Sequence, residues 1–156
     1  MNVQIGLDVK GSEEVSKVLN QYLANLHVLY TKLHNYHWNV EGKGFFQLHA
    51  KLEELYNNTA EELDAVAERI LTLGFRPAAS MKEYLDLATL KEVKSEPITG
   101  EAIVKDLQKD FETLIAELRT ALKIADQNDD QVTVDLFVGS IGNLEKTLWM
   151  FRAYLS

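Results

Sequence analysis

Residues 34–49, "HNYHWNVEGKGFFQLH", close one helical pattern, turn, and open another. Before them Val15, Leu19, Leu23, Leu26, Tyr30, Leu33 and His37 recur at a helical period, and after them Phe45, Leu48, Leu52, Leu55, Leu63, Val66 and Ile70 do the same. Gly42 and Gly44 punctuate the join. The stretch is therefore the tip of an antiparallel helical hairpin. All four histidines of the chain, His27, His34, His37 and His49, lie on that hairpin.

The rest of the chain repeats the theme. Ser12, with Glu13 and Glu14 behind it, reads as a helix start, which leaves residues 1–11 as a loose N-terminal extension. The first helix should end near Val40. The second should run from Phe45 to Leu73, with Gly74 as its C-cap and Pro77 beyond. Ser80-Met81-Lys82-Glu83 has the capping-box pattern and opens a short helix to about Ala88. After a polar connection from Lys91 to Pro97, a third helix spans Gly100 to Ala125, burying Ile103, Leu107, Phe111, Leu114, Leu118 and Leu122. Asp126-Gln127-Asn128-Asp129-Asp130 breaks it, and a fourth covers Val132 to Tyr154. No alternating strand pattern competes. The expectation is a single all-α domain over residues 1–156: a four-helix bundle with one long crossover and a short extra helix between helices two and three, the ferritin-like arrangement. Gly139 and Gly142 weaken the fourth helix locally, and close helix packing is the expected reason for them.

Composition narrows the function classes. Hydrophobic residues make up 46% of the 156 and there are only two prolines, so a folded core and long helices are both expected. With no cysteine, disulfides, thiolate metal sites and cysteine nucleophiles are excluded. No apolar run is long enough for a membrane helix and the start lacks a secretory pattern, which makes the cytoplasm the default compartment. The net charge of −8 argues against nucleic acid, because phosphate binding needs a basic surface. The first 17 residues set Lys10 and Lys17 against Asp8, Glu13 and Glu14, so they form no basic arm. An acidic shell suits cations better.

The second helix carries the chemistry. With His49 at zero on a wheel of about 100° per residue, Glu53 falls at about 40°, Asp64 at about 60° and Glu68 at about 100°. The apolar residues take the adjoining face, and Lys51, Glu54, Asn58, Glu62 and Arg69 take the side expected to be solvated. His49 and Glu53 are one turn apart, as are Asp64 and Glu68, but Glu53 and Asp64 are separated by roughly 16 Å of helix. One chain thus holds two half-sites that no single ion can bridge. Packing two copies of the helix antiparallel about Asn58-Thr59 brings the His49/Glu53 pair of one copy to the Asp64/Glu68 pair of the other, an isologous contact with two equivalent centres roughly 22 Å apart. Ala60 and Ala67 on the same stripe permit close approach. His37 would be costly to bury without a partner and joins the set, with Trp38 beside it. A single histidine on such a face is more often a satisfied core residue, but two histidines and three carboxylates in this pattern favour a metal centre. The donor set suits iron, manganese or zinc, and without thiolates or a full complement of donors it leaves coordination positions open for an oxidant. An intra-bundle di-iron site would need Glu-x-x-His pairs, and none occurs.

The stretch "NYHWNVEGKGFFQLHAKLEELYNNTAEELDAVAERIL" closely resembles the Dps family, the mini-ferritins, and the likeness continues through "VTVDLF" to "LWMFRAYL". The resemblance implies a hollow shell of twelve subunits that oxidises Fe(II), preferentially with hydrogen peroxide, and stores the ferric mineral inside. It implies His37, His49, Glu53, Asp64 and Glu68 as ligands of two iron ions at each two-fold interface, with zinc or manganese as competitors. His37 of one subunit would join Asp64 and Glu68 of the other, and His49 and Glu53 would hold or relay the second iron. Glu53 departs from the family's usual aspartate. Trp38 matches the tryptophan beside the centre, an electron source that quenches radicals. Acid-lined three-fold pores are implied near Asp126, Asp130 and Asp135, where the competing reading is a solvated turn with a helix N-cap. His27 and His34 fall outside the ligand set and are expected to be packing or surface residues. DNA compaction, the property that gives the family its name, commonly uses lysine-rich termini that this chain lacks. The competing functions are a DNA-compacting shell and a purely structural one without redox turnover.

Overall fold

Asp8, not Ser12, caps the first helix. In the computed structural model, which describes residues 3–156, its carboxylate accepts a hydrogen bond of 2.9 Å from the Gly11 amide, and helix α1 runs Val9–Asn39. The loose extension expected over residues 1–11 is shortened accordingly, and residues 1–2 lie outside the described part. The reason for the early start is packing. A methyl group at Gly11 would stand 2.3 Å from Asn128 Oδ1, so the first turn of α1 lies directly on the turn between the last two helices.

The remaining elements follow the expected order. Helix α2 is Phe45–Thr72, with Leu73 as its C-cap and Gly74 at φ 88° just beyond. Helix α3 is Met81–Leu87, α4 is Gly100–Gln127 and α5 is Gln131–Leu155. At α3 the Ser80 hydroxyl and the Glu83 carboxylate engage at 2.6 Å while the Ala79 amide donates to the same carboxylate, a capping box displaced by one residue. A feature without sequence signal is a two-residue parallel bridge, β1 (Val40–Glu41) with β2 (Ile98–Thr99), which ties the α1–α2 turn to the end of the crossover. Next to it Gly100 is a close contact, since a Cβ there would lie 2.7 Å from the Tyr154 hydroxyl.

Helices α1 and α2 pair along their length, α4 and α5 likewise, and the two hairpins meet through α1 and α4. Between them lies a core of fully buried side chains, among them Leu19, Leu23, Leu33, Leu52, Ile70, Ile103, Leu107, Leu114 and Phe137. Each contributes about 1.5–3 kcal/mol of transfer free energy. Asn25, also fully buried, holds the crossover against α1: its side-chain oxygen accepts from the Thr89 and Leu90 amides at 2.8 and 3.1 Å, and its amide donates to Glu117 at 2.9 Å. Those bonds satisfy backbone groups that no helix or strand would otherwise pair.

Two expectations about helix faces are corrected, the first in part: Glu54 and Asn58 are exposed as expected, but Glu62 and Arg69 are engaged with other elements. The side of α2 expected to be solvated looks across a groove of about 550 Å³ toward α5, lined by Lys51, Glu54, Asn58, Asn143, Lys146 and Thr147. Glu62 on that side accepts hydrogen bonds from the Tyr22 and Ser140 hydroxyls, and burial together with that carboxylate raises the Tyr22 pKa well above its usual value. Arg69, further along, donates to Asp130 at 2.7 Å and to Thr133 at 2.9 Å. Gly139 and Gly142 do not mediate close packing within the subunit, because a Cβ at either would meet nothing within 4 Å. The buried stripe of α5 is Thr133, Phe137, Ser140, Ile141, Leu148 and Phe151, and the two glycines lie off it. No helix among the described residues is long and apolar enough to cross a membrane.

Candidate metal centre

The turn between α1 and α2 is built from Gly42 and Gly44, both in the left-handed region at φ 92° and 75°. Folding back there sets the last turn of α1 against the first turns of α2 and brings His37 and His49, twelve residues apart, face to face. Their rings stack at 3.7 Å with 18° between planes. His37 Nδ1 lies 2.8 Å from the carbonyl oxygen of His49, and His49 Nδ1 lies 2.8 Å from the carbonyl oxygen of His37. A carbonyl oxygen can only accept, so each Nδ1 carries the proton and donates it. In the neutral ring Nε2 then holds the free lone pair, the form that binds a metal. His37 is only 8% exposed, yet among the described residues no buried side-chain nitrogen or oxygen is left without a partner. Its Nε2, which has no protein partner, is therefore not sealed from solvent. Phe45 stacks on His49 at 5.1 Å and Tyr56 stands edge-on to His37 at 5.3 Å, so both imidazoles are held from outside as well.

The carboxylates line up along the same face of α2. Glu53 is exposed and accepts a hydrogen bond of 3.3 Å from the Tyr56 hydroxyl. Asp64 and Glu68 are exposed, and among the described residues neither has a hydrogen-bond or ion-pair partner. No three metal-ligating side chains converge on one point among the described residues. Within one subunit the imidazoles and the Asp64/Glu68 pair remain separate, as the spacing along the helix requires. Chemically, the hairpin tip offers two oriented imidazoles with one carboxyl group nearby on α2, and the distal stretch offers two unengaged carboxyl groups.

Trp38 is 71% exposed, and its ring neighbour is His34 at 5.2 Å. His34 itself bonds to the Tyr30 carbonyl at 2.9 Å and stacks on Tyr56 at 3.8 Å. His27 stacks on Tyr84 at 3.8 Å, and burial lowers its pKa. Both histidines are thus packing residues. Of the three acids named for a pore, Asp126 and Asp135 are exposed, whereas Asp130 is 2% exposed. The Asp130 carboxylate accepts from the Thr133 amide at 3.0 Å and from the Thr133 hydroxyl at 2.6 Å, and it pairs with Arg69 at 2.7 Å. Within the subunit Asp130 is the N-cap of α5 and its tie to α2.

The interior of the bundle holds a different polar cluster that the sequence reading missed. Lys32, 3% exposed on α1, places its ammonium 2.6 Å from both Asp106 and Asp110 of α4, and the Tyr36 hydroxyl donates to Asp106 at 2.6 Å. Burial and the adjacent Asp106 push the Tyr36 hydroxyl far above its usual pKa. The ammonium occupies the space between the two carboxylates, so the cluster binds α1 to α4 and leaves no room there for a cation.

The chain matches the family of ferritin-like domains over residues 16–156. It is 45% identical over 145 residues to DNA protection during starvation protein 2 of Bacillus anthracis, covering 93% of this chain and 99% of that protein. It is 44% identical to general stress protein 20U of Bacillus subtilis, covering 92% of this chain and 99% of that one. Among solved structures, the Dps protein of Vibrio cholerae O1, described as a member of a broad superfamily of ferritin-like diiron-carboxylate proteins, superposes with a TM-score of 0.94 at 39% identity, over 100% of this chain and 98% of that chain.

Proposed function

Because the chain belongs to the Dps group of the ferritin-like family, we propose that it oxidises Fe(II) with hydrogen peroxide, or with dioxygen, at centres shared between two subunits, and stores the ferric product inside a hollow dodecamer. The observation that carries the reading is the exchange of hydrogen bonds between His37 and His49, which fixes both rings with Nε2 free. A structural pair of histidines would gain nothing from leaving both outward nitrogens unpaired. Asp64 and Glu68 supply the complementary half: two exposed carboxylates one turn apart, without partners of their own among the described residues.

In this reading Fe(II) is the substrate. His37 of one subunit with Asp64 and Glu68 of the other hold the first ion, and His49 with Glu53 holds or relays the second. The carboxylates favour the ferric state by their charge. Zinc and manganese compete for the same donors. Asp126 and Asp135 are the exposed acids that would draw cations toward an opening beside the α4–α5 turn. Trp38, largely exposed at the hairpin tip, is an electron source near the centre.

The test is direct. Fe(II) and hydrogen peroxide are added anaerobically to metal-free assembled protein, and ferric absorbance is followed. Acceleration over buffer supports the proposal. An uncatalysed rate would instead favour a shell without redox turnover, the alternative for this fold.

A further inference from the structure

Hydrogen peroxide accepts two electrons and Fe(II) gives one. A centre holding two irons satisfies peroxide completely, but a centre caught with a single iron lacks the second electron and would release a hydroxyl radical. Within its own subunit Trp38 is one ring removed from the histidine pair: among the described residues its ring meets His34, 5.2 Å away, and pairs with neither His37 nor His49. Tyr56 meets the pair directly. Its ring stands edge-on to His37 at 5.3 Å, its hydroxyl donates to Glu53 Oε1 at 3.3 Å, and His34 stacks on its face at 3.8 Å. It therefore touches two residues of the candidate centre, one through the ring and one through the hydroxyl.

Removing an electron from a phenol near neutral pH requires its proton to leave with it. The hydrogen bond to Glu53 supplies an acceptor already in position. We propose that Tyr56 is the second electron donor of a singly loaded centre, an inference that rests on the ferroxidase reading above. One Fe(II), one hydrogen peroxide, the Tyr56 phenol and the Glu53 carboxylate become one Fe(III), two hydroxide ions, a neutral Tyr56 radical and a protonated Glu53. The O–O bond breaks, iron and tyrosine give one electron each, and the phenolic proton passes along its hydrogen bond. His34, between Tyr56 and Trp38, lines the outward path by which the radical is drawn away from the centre.

The experiment uses assembled protein loaded with one Fe(II) per centre, mixed anaerobically with hydrogen peroxide and freeze-quenched for electron paramagnetic resonance. Wild type should give a tyrosyl signal that narrows when ring-deuterated tyrosine is incorporated. Tyr56→Phe, which keeps the ring and loses only the hydroxyl, should lose that signal and release more spin-trapped hydroxyl radical per iron oxidised. Trp38→Phe should retain the signal. If wild type oxidises iron and the signal is absent, or is the same in Tyr56→Phe, the assignment of Tyr56 is overturned while the ferroxidase reading stands. If wild type does not accelerate iron oxidation at all, the ferroxidase reading falls and takes this inference with it.

Discussion

His37 and His49 hold one another: each Nδ1 donates to the other's carbonyl oxygen at 2.8 Å, across a turn that only the two glycines make tight. The arrangement is reciprocal, so neither ring is oriented independently. His49→Ala should therefore weaken the metal position of His37 as well as its own, by removing the stacked ring that steadies it. His37 keeps its hydrogen bond, because the acceptor is the main-chain carbonyl of residue 49, and loses only the stacked ring, so its affinity should fall by less than the about 10–100-fold that follows removal of a hydrogen-bonding partner. Titration of the assembled variant with Zn(II), a redox-silent probe, should show the larger loss at the position of residue 49 and a smaller one at that of His37. A fall confined to one would mean that the two rings act separately.

The glycines divide into those that need their missing side chain and those that do not. Gly11→Ala would drive a methyl group to within 2.3 Å of Asn128 Oδ1 and should destabilise the fold by about 1–3 kcal/mol. Asn128→Ala should relieve most of that cost in the double variant. Gly139→Ala meets nothing within 4 Å and should stabilise the isolated subunit by about 0.5–1 kcal/mol through helix propensity. Thermal unfolding separates them, since 1 kcal/mol corresponds to about 2–4 °C in a chain of this length.

The buried cluster on α1 and α4 predicts an asymmetric response to pH. Burial raises the Asp106 pKa, but the Lys32 ammonium and the Tyr36 hydroxyl outweigh it and the net shift is downward. For Asp110, burial outweighs Lys32 and the shift is upward. A depressed carboxyl contributes stability above its unfolded pKa and loses it as pH falls through the folded value. A raised one contributes in the acid range and loses that contribution as pH rises. Asp106→Asn should thus cost clearly more stability at pH 7 than in strong acid, and more at pH 7 than Asp110→Asn. Lys32→Ala leaves two carboxylates facing each other and should cost about 3–5 kcal/mol. Urea unfolding at two pH values checks all three, and equal costs for the two asparagine variants would contradict the reading.

Much of this structure was legible in the sequence because helical periodicity and end signals act locally. Gly74, Ser80 and the α4–α5 break fell where their chemistry required, and the separation of His49 and Glu53 from Asp64 and Glu68 along α2 followed from helix geometry alone. The errors came from contacts between elements. Ser12 looked like a cap because nothing local shows that Gly11 must lie against Asn128. Glu62 and Arg69 looked solvated because their partners, Ser140 and Asp130, lie on a helix distant in sequence. The His37–His49 exchange uses backbone carbonyls, which leave no trace in residue identity. Tyr56 was visible only as one more aromatic residue, although it stands one turn beyond Glu53.

The acidic balance of the chain predicts its behaviour toward DNA. Lys17 is paired with Glu13 at 3.1 Å, and the net charge is −8. Assembled protein mixed with plasmid at moderate salt should leave its migration unchanged, because the excess of carboxylates over basic side chains opposes phosphate binding. A clear gel shift would identify a basic surface created by assembly.

The proposed division of the centre between two subunits yields the sharpest expectation. His37→Ala removes a nitrogen donor from one half-site, and Asp64→Ala removes a carboxylate from the other; each variant alone should be inactive. When the two are unfolded together and reassembled, a mixed pair brings both defects to one of its two centres and neither to the other. Random mixing makes half the pairs mixed, so about a quarter of wild-type iron oxidation should return, given an isologous interface. Were the donors all supplied by one chain, every centre would carry a defect whatever its neighbour, and mixing would restore nothing. Recovery measured against each variant reassembled alone decides between the two arrangements.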